Sequence, residues 1–211
     1  MAEPQRDREL VRHYWPAELR PAFDALFAID DALAAIVANS TQPALGAIRL
    51  AWWREALERL DTNPPPPEPR LQAVAAELLP RGVSGALLAE LEDGWAAQLD
   101  EKPDWGRIAE RGAKIFEIGA RLLGNSDRQL EEAGRLYAYA AACRAGFDPG
   151  DQPKEEIRRL SRHRFPKALR PLTALARLAA RDIGKAPVQE PEATPGRAAA
   201  LLSHRLFGFI A

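Results

Sequence analysis

Gln42-Pro43-Ala44-Leu45-Gly46-Ala47-Ile48-Arg49-Leu50-Ala51-Trp52-Trp53-Arg54-Glu55-Ala56-Leu57 decides the fold class. At 3.6 residues per turn it carries two apolar stripes. Leu45, Ile48 and Trp52 form one, and Leu50, Trp53, Leu57 and Leu60 form the other. The pattern predicts a helix over residues 44–60. A face that wide is expected to be covered on more than one side, which places the helix at the centre of a bundle.

Outward from this segment the same period recurs. A first helical signal covers residues 7–14. Over residues 18–38, Leu19, Phe23, Leu26, Leu33 and Val37 share a stripe, and Asp30 stands in its gap. Residues 62–69 contain five prolines and read as an extended surface loop, since apolar helices resume at once. Helices are expected over residues 70–79 and 84–99, the second capped by Ser84, and Asp104 caps another. In that helix Ile108, Gly112, Ile115, Gly119 and Leu122 share a face. Its glycines allow close approach of a neighbouring backbone, at a propensity cost of about 1 kcal/mol each. Ser126 with Gln129 has the capping-box pattern and opens a helix to residue 145, whose small residues suggest tight packing. Asp148-Pro149-Gly150-Asp151 is a turn. A basic helix follows over residues 153–163, then one over 167–183. Residues 184–192 read as a polar loop, and Thr194-Pro195 opens a final helix reaching Ile210. The chain reads as one all-α domain spanning residues 1–211, a bundle of about nine or ten helices.

Composition narrows the function classes. Across 211 residues the net charge is −1, which argues against nucleic acid as a partner. Cys143 is the single cysteine, so an intramolecular disulfide and a cysteine-cluster zinc site are excluded and a reducing compartment fits. Residues 1–12 are charged without an apolar core, unlike a signal peptide. No window approaches eighteen uncharged apolar residues, as a spanning helix requires. His13, His163 and His204 lack metal-ligand spacing. The expectation is a soluble cytoplasmic protein, with peripheral contact to the inner face of a membrane as an extension of it.

Two groups of residues invite chemistry. Asp30 and Asp31 lie mid-helix, where aspartate is disfavoured, so the inward one requires a cation, a metal or several donors. They are the candidate catalytic and metal-binding residues. A structural ion pair from Asp30 to Arg49 or Arg54 on the next helix serves equally well. The second group is the run Arg158, Arg159, Arg162, His163, Arg164, Lys167 and Arg170. Residues 154–185 hold ten Lys or Arg against three acids. Such a run holds a diphosphate, an anionic lipid headgroup or an acidic partner, or is a solvated face paired with acids elsewhere. Arg158 and Arg162 are expected to share a helix face at i, i+4 spacing. The five tryptophans read as packing residues.

The block from Gln42 to Leu57 resembles the squalene/phytoene synthase family. It is closest to a short, divergent branch that includes the mitochondrial complex I assembly factor and bacterial relatives. Ala25-Leu26-Phe27-Ala28 and the stretch from His163 to Leu172 are similar as well. The resemblance implies an isoprenoid-synthase-like helical bundle around a central cavity, joining two prenyl diphosphates head to head with magnesium. It marks Arg49, Trp53 and Arg54, beside Arg158, Arg162 and Arg164 of the basic run, as candidate substrate- or lipid-binding residues. It also implies two acidic motifs on facing helices, each with aspartates one turn apart that hold magnesium. Here the sequence departs from the pattern. If Asp30-Asp31 begins the first motif, the next required aspartate is Ala34. Counting back without gaps from the tryptophan pair instead places the motif at Ala34, Ala35 and Ala38. The second motif belongs on residues 134–145, which contain no acid.

The resulting expectation is a non-catalytic accessory or assembly protein that binds a lipid, a prenyl chain or a respiratory-complex subunit and needs no cofactor. The alternative is a magnesium-dependent prenyltransferase using Asp30 and Asp31. A plain lipid carrier is a third class.

Overall fold

The structure is a computed structural model that describes residues 6–185 and 190–211. Residues 1–5 of the charged N-terminal segment and residues 186–189 of the expected polar loop lie outside the described residues. In chain order the helices are α1 (Arg6–Arg12), α2 (Arg20–Ala38), α3 (Pro43–Arg59), α4 (Pro69–Glu77), α5 (Gly85–Ala89), α6 (Leu91–Ala96), α7 (Trp105–Leu122), α8 (Leu130–Arg144), α9 (Gln152–Leu160), α10 (Arg170–Lys185) and α11 (Pro195–Phe207). Among the described residues the β pairing is one isolated bridge, Arg164 to Phe209. The protein is all-α.

Helix starts follow proline and short polar side chains. Pro21, Pro43, Pro69, Pro153 and Pro195 stand in first turns, where a missing N–H costs nothing. Ser84 accepts from Leu87 N at 3.1 Å, Asp104 from Gly106 N at 2.9 Å, and Thr194 from Arg197 N at 3.3 Å. The expected capping box does not form. α8 begins only at Leu130, and Asp127 rather than Ser126 accepts from Gln129 N, at 2.8 Å. Asp127 also lies 2.8 Å from His163 Nε2.

The glycine face of α7 does what its pattern predicts. A β-carbon on Gly112 would collide with the Gly134 carbonyl of α8, and one on Gly134 with the Gly112 carbonyl. The two backbones touch there. Gly119 lies instead under Leu172 of α10, where a β-carbon would come within 2.8 Å of its side chain. α2, α7, α8 and α10 surround a core holding Phe23, Leu26, Ile115, Phe116, Leu136 and Leu172.

Two expectations are corrected. α3 is not central. It buries Leu50, Trp53 and Leu57 against α5 and α6, while Leu45 (48 % exposed), Ile48 (66 %) and Trp52 (50 %) face solvent. The single helix over residues 84–99 is two helices meeting at Glu90, because its halves answer to different neighbours. Gly85 is pressed on the Leu57 carbonyl, with Asp61 accepting from Gly85 N and Ala86 N at 2.6 and 2.9 Å. Gly94 is pressed on Arg107 and Arg111 of α7.

Candidate functional site

α2 turns Asp30 inward, where 3 % of it is exposed. Its Oδ1 accepts from Arg111 Nη1 of α7 at 2.6 Å and from Trp95 Nε1 of α6 at 2.7 Å. The Arg111 guanidinium lies 3.9 Å from the centre of the Trp95 ring, a cation on a π face. Arg111 therefore replaces Arg49 and Arg54 as the partner of Asp30. α3 turns both of those arginines outward, and Arg54 meets Glu58 at 3.2 Å and Glu92 at 3.5 Å. A sequence signal for Arg111 did exist. It interrupts the apolar rhythm of Ile108, Ile115 and Ile118 as Asp30 interrupts that of α2. Asp31, on the flank, is held by a two-point contact from Arg8 at 2.7 and 2.8 Å.

One turn beyond Asp30 lies a cavity of about 620 Å³ between α2, α8 and α10. Ala34, Val37 and Ala38 line its α2 wall, and Ala140, Ala141 and Ala145 the facing end of α8. Leu175, Leu178 and Ala179 of α10 close the third side. The alanines of α8 thus serve two purposes. Gly134 and its neighbours allow the tight contact with α7, whereas Ala141 and Ala145 leave space.

The other end of the cavity is charged and internally neutralised. Arg197, 1 % exposed, donates from Nε to Asp7 at 2.9 Å and from its terminal nitrogens to Asp182. Arg144 grips the same Asp182 at 2.8 and 2.9 Å. Asp7 in turn accepts from Ala193 N at 2.9 Å, which ties α1 to the chain entering α11.

Magnesium on a diphosphate needs several oxygen ligands converging from opposite walls. The residues present do not fit it. Ala34 and Ala38 are one turn apart on α2, Ala141 and Ala145 one turn apart on α8, and none offers an oxygen from its side chain. The carboxylates that reach the cavity surface, Asp7, Asp182 and Glu192, sit at its charged end, and the first two are bound to arginines. Among the described residues no group of three or more His, Cys, Asp or Glu is placed to hold a metal ion.

The remaining sequence candidates lie away from this space. Trp53 is core, and Arg49, Arg54, Arg158, Arg162 and Arg164 are exposed and do not line the cavity. α9 ends at Leu160, so Arg162 falls beyond the helix and does not share a helical face with Arg158. Arg159 pairs with Glu156 at 3.1 Å. Asp148 and Asp151 stay in the solvated turn, the first accepting from Gly150 N and the second facing Lys154, at 2.9 and 2.8 Å. Cys143 is half-buried, and burial raises its thiol above the usual value.

Helices enclosing a cavity, with α2, α8 and α10 among its walls, define an isoprenoid-synthase-like architecture. The squalene/phytoene synthase family matches residues 1–108, about half of the chain, and the chain belongs to that family. The match includes Asp30 and the Trp52-Trp53-Arg54 block and ends in the first turn of α7, so α8 lies beyond it. No curated protein and no solved structure matches the chain.

Proposed function

We propose that this chain is a non-catalytic member of its family, an accessory or assembly factor similar to the complex I assembly branch. It acts with a respiratory-complex subunit and holds an apolar ligand, a prenyl or lipid chain, in its cavity without a cofactor. The observation that carries this reading is that Ala34 and Ala38 of α2 line the same cavity as Ala141 and Ala145 at the end of α8. Where relatives need acids to neutralise a leaving diphosphate, this chain offers methyl groups. A space of about 620 Å³, lined over its apolar part by alanine, leucine and valine and charged at its other end, suits a small, mostly apolar molecule. The prenyltransferase alternative draws no support from Asp30 or Asp31, since each is engaged by an arginine.

The ligand half of the reading is tested with a neutral prenyl alcohol titrated into the purified protein, followed by tryptophan fluorescence, because Trp95 lines the cavity. Saturable binding unaffected by magnesium is expected, and Ala141→Phe with Ala34→Phe should abolish it by filling the space. Absence of binding by the native chain rejects the ligand. For the assembly half, deletion of the protein should lower respiratory NADH oxidation, and a deletion strain with unchanged oxidation rejects that role.

A further inference from the structure

Far from the alanine walls, the C-terminal end of α11 meets the segment that joins α9 to α10. Arg164 Nε donates to Phe207 O at 2.8 Å, and Phe165 N donates to Gly208 O at 2.9 Å. This junction presents Leu202 (53 % exposed), Leu206 (57 %), Phe207 (57 %) and Phe209 (41 %) to solvent. Beside them is a cleft of about 260 Å³ whose lining includes Lys167, Arg170 and Arg205 and no carboxylate. Arg170 is 6 % exposed, and its guanidinium meets only carbonyl oxygens in its hydrogen bonds, those of Phe165 at 3.1 Å and of Arg205 and Leu206 at 2.9 Å. A buried cation compensated only by dipoles leaves the cleft positive. Among the described residues, Arg164, Lys167 and Arg205 have no carboxylate within ion-pair distance, unlike most arginines of this protein.

We propose that this face docks on an anionic phospholipid bilayer, with Lys167, Arg170 and Arg205 at the headgroup phosphates and Leu206, Phe207 and Phe209 entering the interface. Unpaired cations next to exposed aromatic and aliphatic side chains match both layers of such a surface at once. An acidic protein surface would meet the cations but leave the apolar groups without a partner. No described helix is long and apolar enough to cross a membrane, so the contact is peripheral. The proposal is independent of what fills the cavity, and its test does not involve the cavity.

The test is co-sedimentation of the full chain with phosphatidylcholine vesicles and with vesicles that also contain phosphatidylglycerol. The protein should pellet with the anionic vesicles alone, and less as salt rises. Lys167→Gln with Arg205→Gln should weaken partitioning about twenty-five-fold, each cation contributing about fivefold. Leu206→Ser with Phe207→Ser should weaken it about tenfold or more. Both pairs are solvent-exposed, and an unchanged circular-dichroism melt verifies that they fold. Ile48→Ser with Trp52→Ser, on the exposed stripe of α3, should leave partitioning unchanged. The proposal is overturned if the native chain stays in the supernatant or pellets equally with neutral vesicles. It is also overturned if the α3 pair alone removes binding. Full competition by millimolar inorganic phosphate at constant ionic strength would overturn it too, since the cleft would then be a free-phosphate site.

Discussion

The deep ion pair of Asp30 with Arg111 and the network around Arg197 both bury carboxylates against guanidinium groups, yet they do different work. The first is one acid and one base from residues 81 positions apart, completed by an indole N–H and the face of its ring. It locks α2, α6 and α7 together below the cavity. The second shares Arg197 between Asp7 and Asp182, and gives Asp182 a second arginine, Arg144. It joins α1, α8, α10 and α11 at the charged end of the same cavity. Asp30, Asp7 and Asp182 are each held by an arginine. The comparison separates a family scaffold from the family's chemistry: acids remain at both ends of the space, but as structural partners.

The largest effect is expected where one buried cation serves two acids. Arg197→Ala leaves Asp7 with an uncompensated charge and Asp182 with Arg144 alone, and should cost about 4 kcal/mol in denaturant unfolding. A loss below about 1 kcal/mol would show that the network is solvated. Asp30→Ala should cost about 3 kcal/mol by stranding Arg111. The double variant Asp30→Leu with Arg111→Met should recover most of that loss, because removing both charges also removes their desolvation penalty. A double variant as unstable as the single one would mean that Asp30 has a role beyond this pair.

A third buried polar residue sharpens the contrast, since it has no charged partner of opposite sign. His204 of α11, 1 % exposed, makes contacts from Nδ1 to Phe209 O at 2.8 Å and from Nε2 to Thr173 Oγ1 at 2.9 Å. The carbonyl requires a proton on Nδ1, which leaves Nε2 an acceptor beside the Thr173 hydroxyl, whose one proton also has Leu169 O within reach at 3.1 Å. Burial, with Arg177 and Arg170 adding to it, pushes the imidazole down to about 4 from 6.5. The unfolded chain takes up a proton at the higher value and the folded chain only at the lower. Stability is therefore complete above 6.5 and falls as pH drops towards 4, by roughly 3 kcal/mol. His204→Gln should flatten that part of the pH profile in thermal melts. The smallest effect belongs to Arg54→Ala. Its pairs with Glu58 and Glu92 lie at half-exposed Arg54, so a change within about 0.5 kcal/mol is expected. A loss as large as that of Asp30→Ala would restore Arg54 as a partner of the buried acid.

What the sequence made legible is what local pattern controls. The glycine face of α7, the caps at Ser84, Asp104 and Thr194, and the anomaly of Asp30 are all set by residues within a few turns. Residues far apart in the chain decided the rest. The two stripes of α3 are alike in apolarity, and only the positions of α5 and α6 determine that Leu50, Trp53 and Leu57 are covered while Ile48 and Trp52 are not. The partner of Asp30 lies on α7, and nothing local to α2 points there. The alanines of α8 are small for two reasons, close contact at Gly134 and open space at Ala141, and periodicity does not distinguish them. The missing acids at Ala34, Ala38 and over residues 134–145 were readable because the family resemblance implies where carboxylates belong and the sequence has none there. That those positions line one cavity required the structure.

The most direct test of the central claim, that these walls cannot close a magnesium–diphosphate clamp, is calorimetric titration with farnesyl and geranylgeranyl diphosphate, with and without magnesium, alongside an assay for released pyrophosphate. The expected result is the same heat in both conditions and no pyrophosphate. Binding that tightens with magnesium and is followed by pyrophosphate release would contradict it.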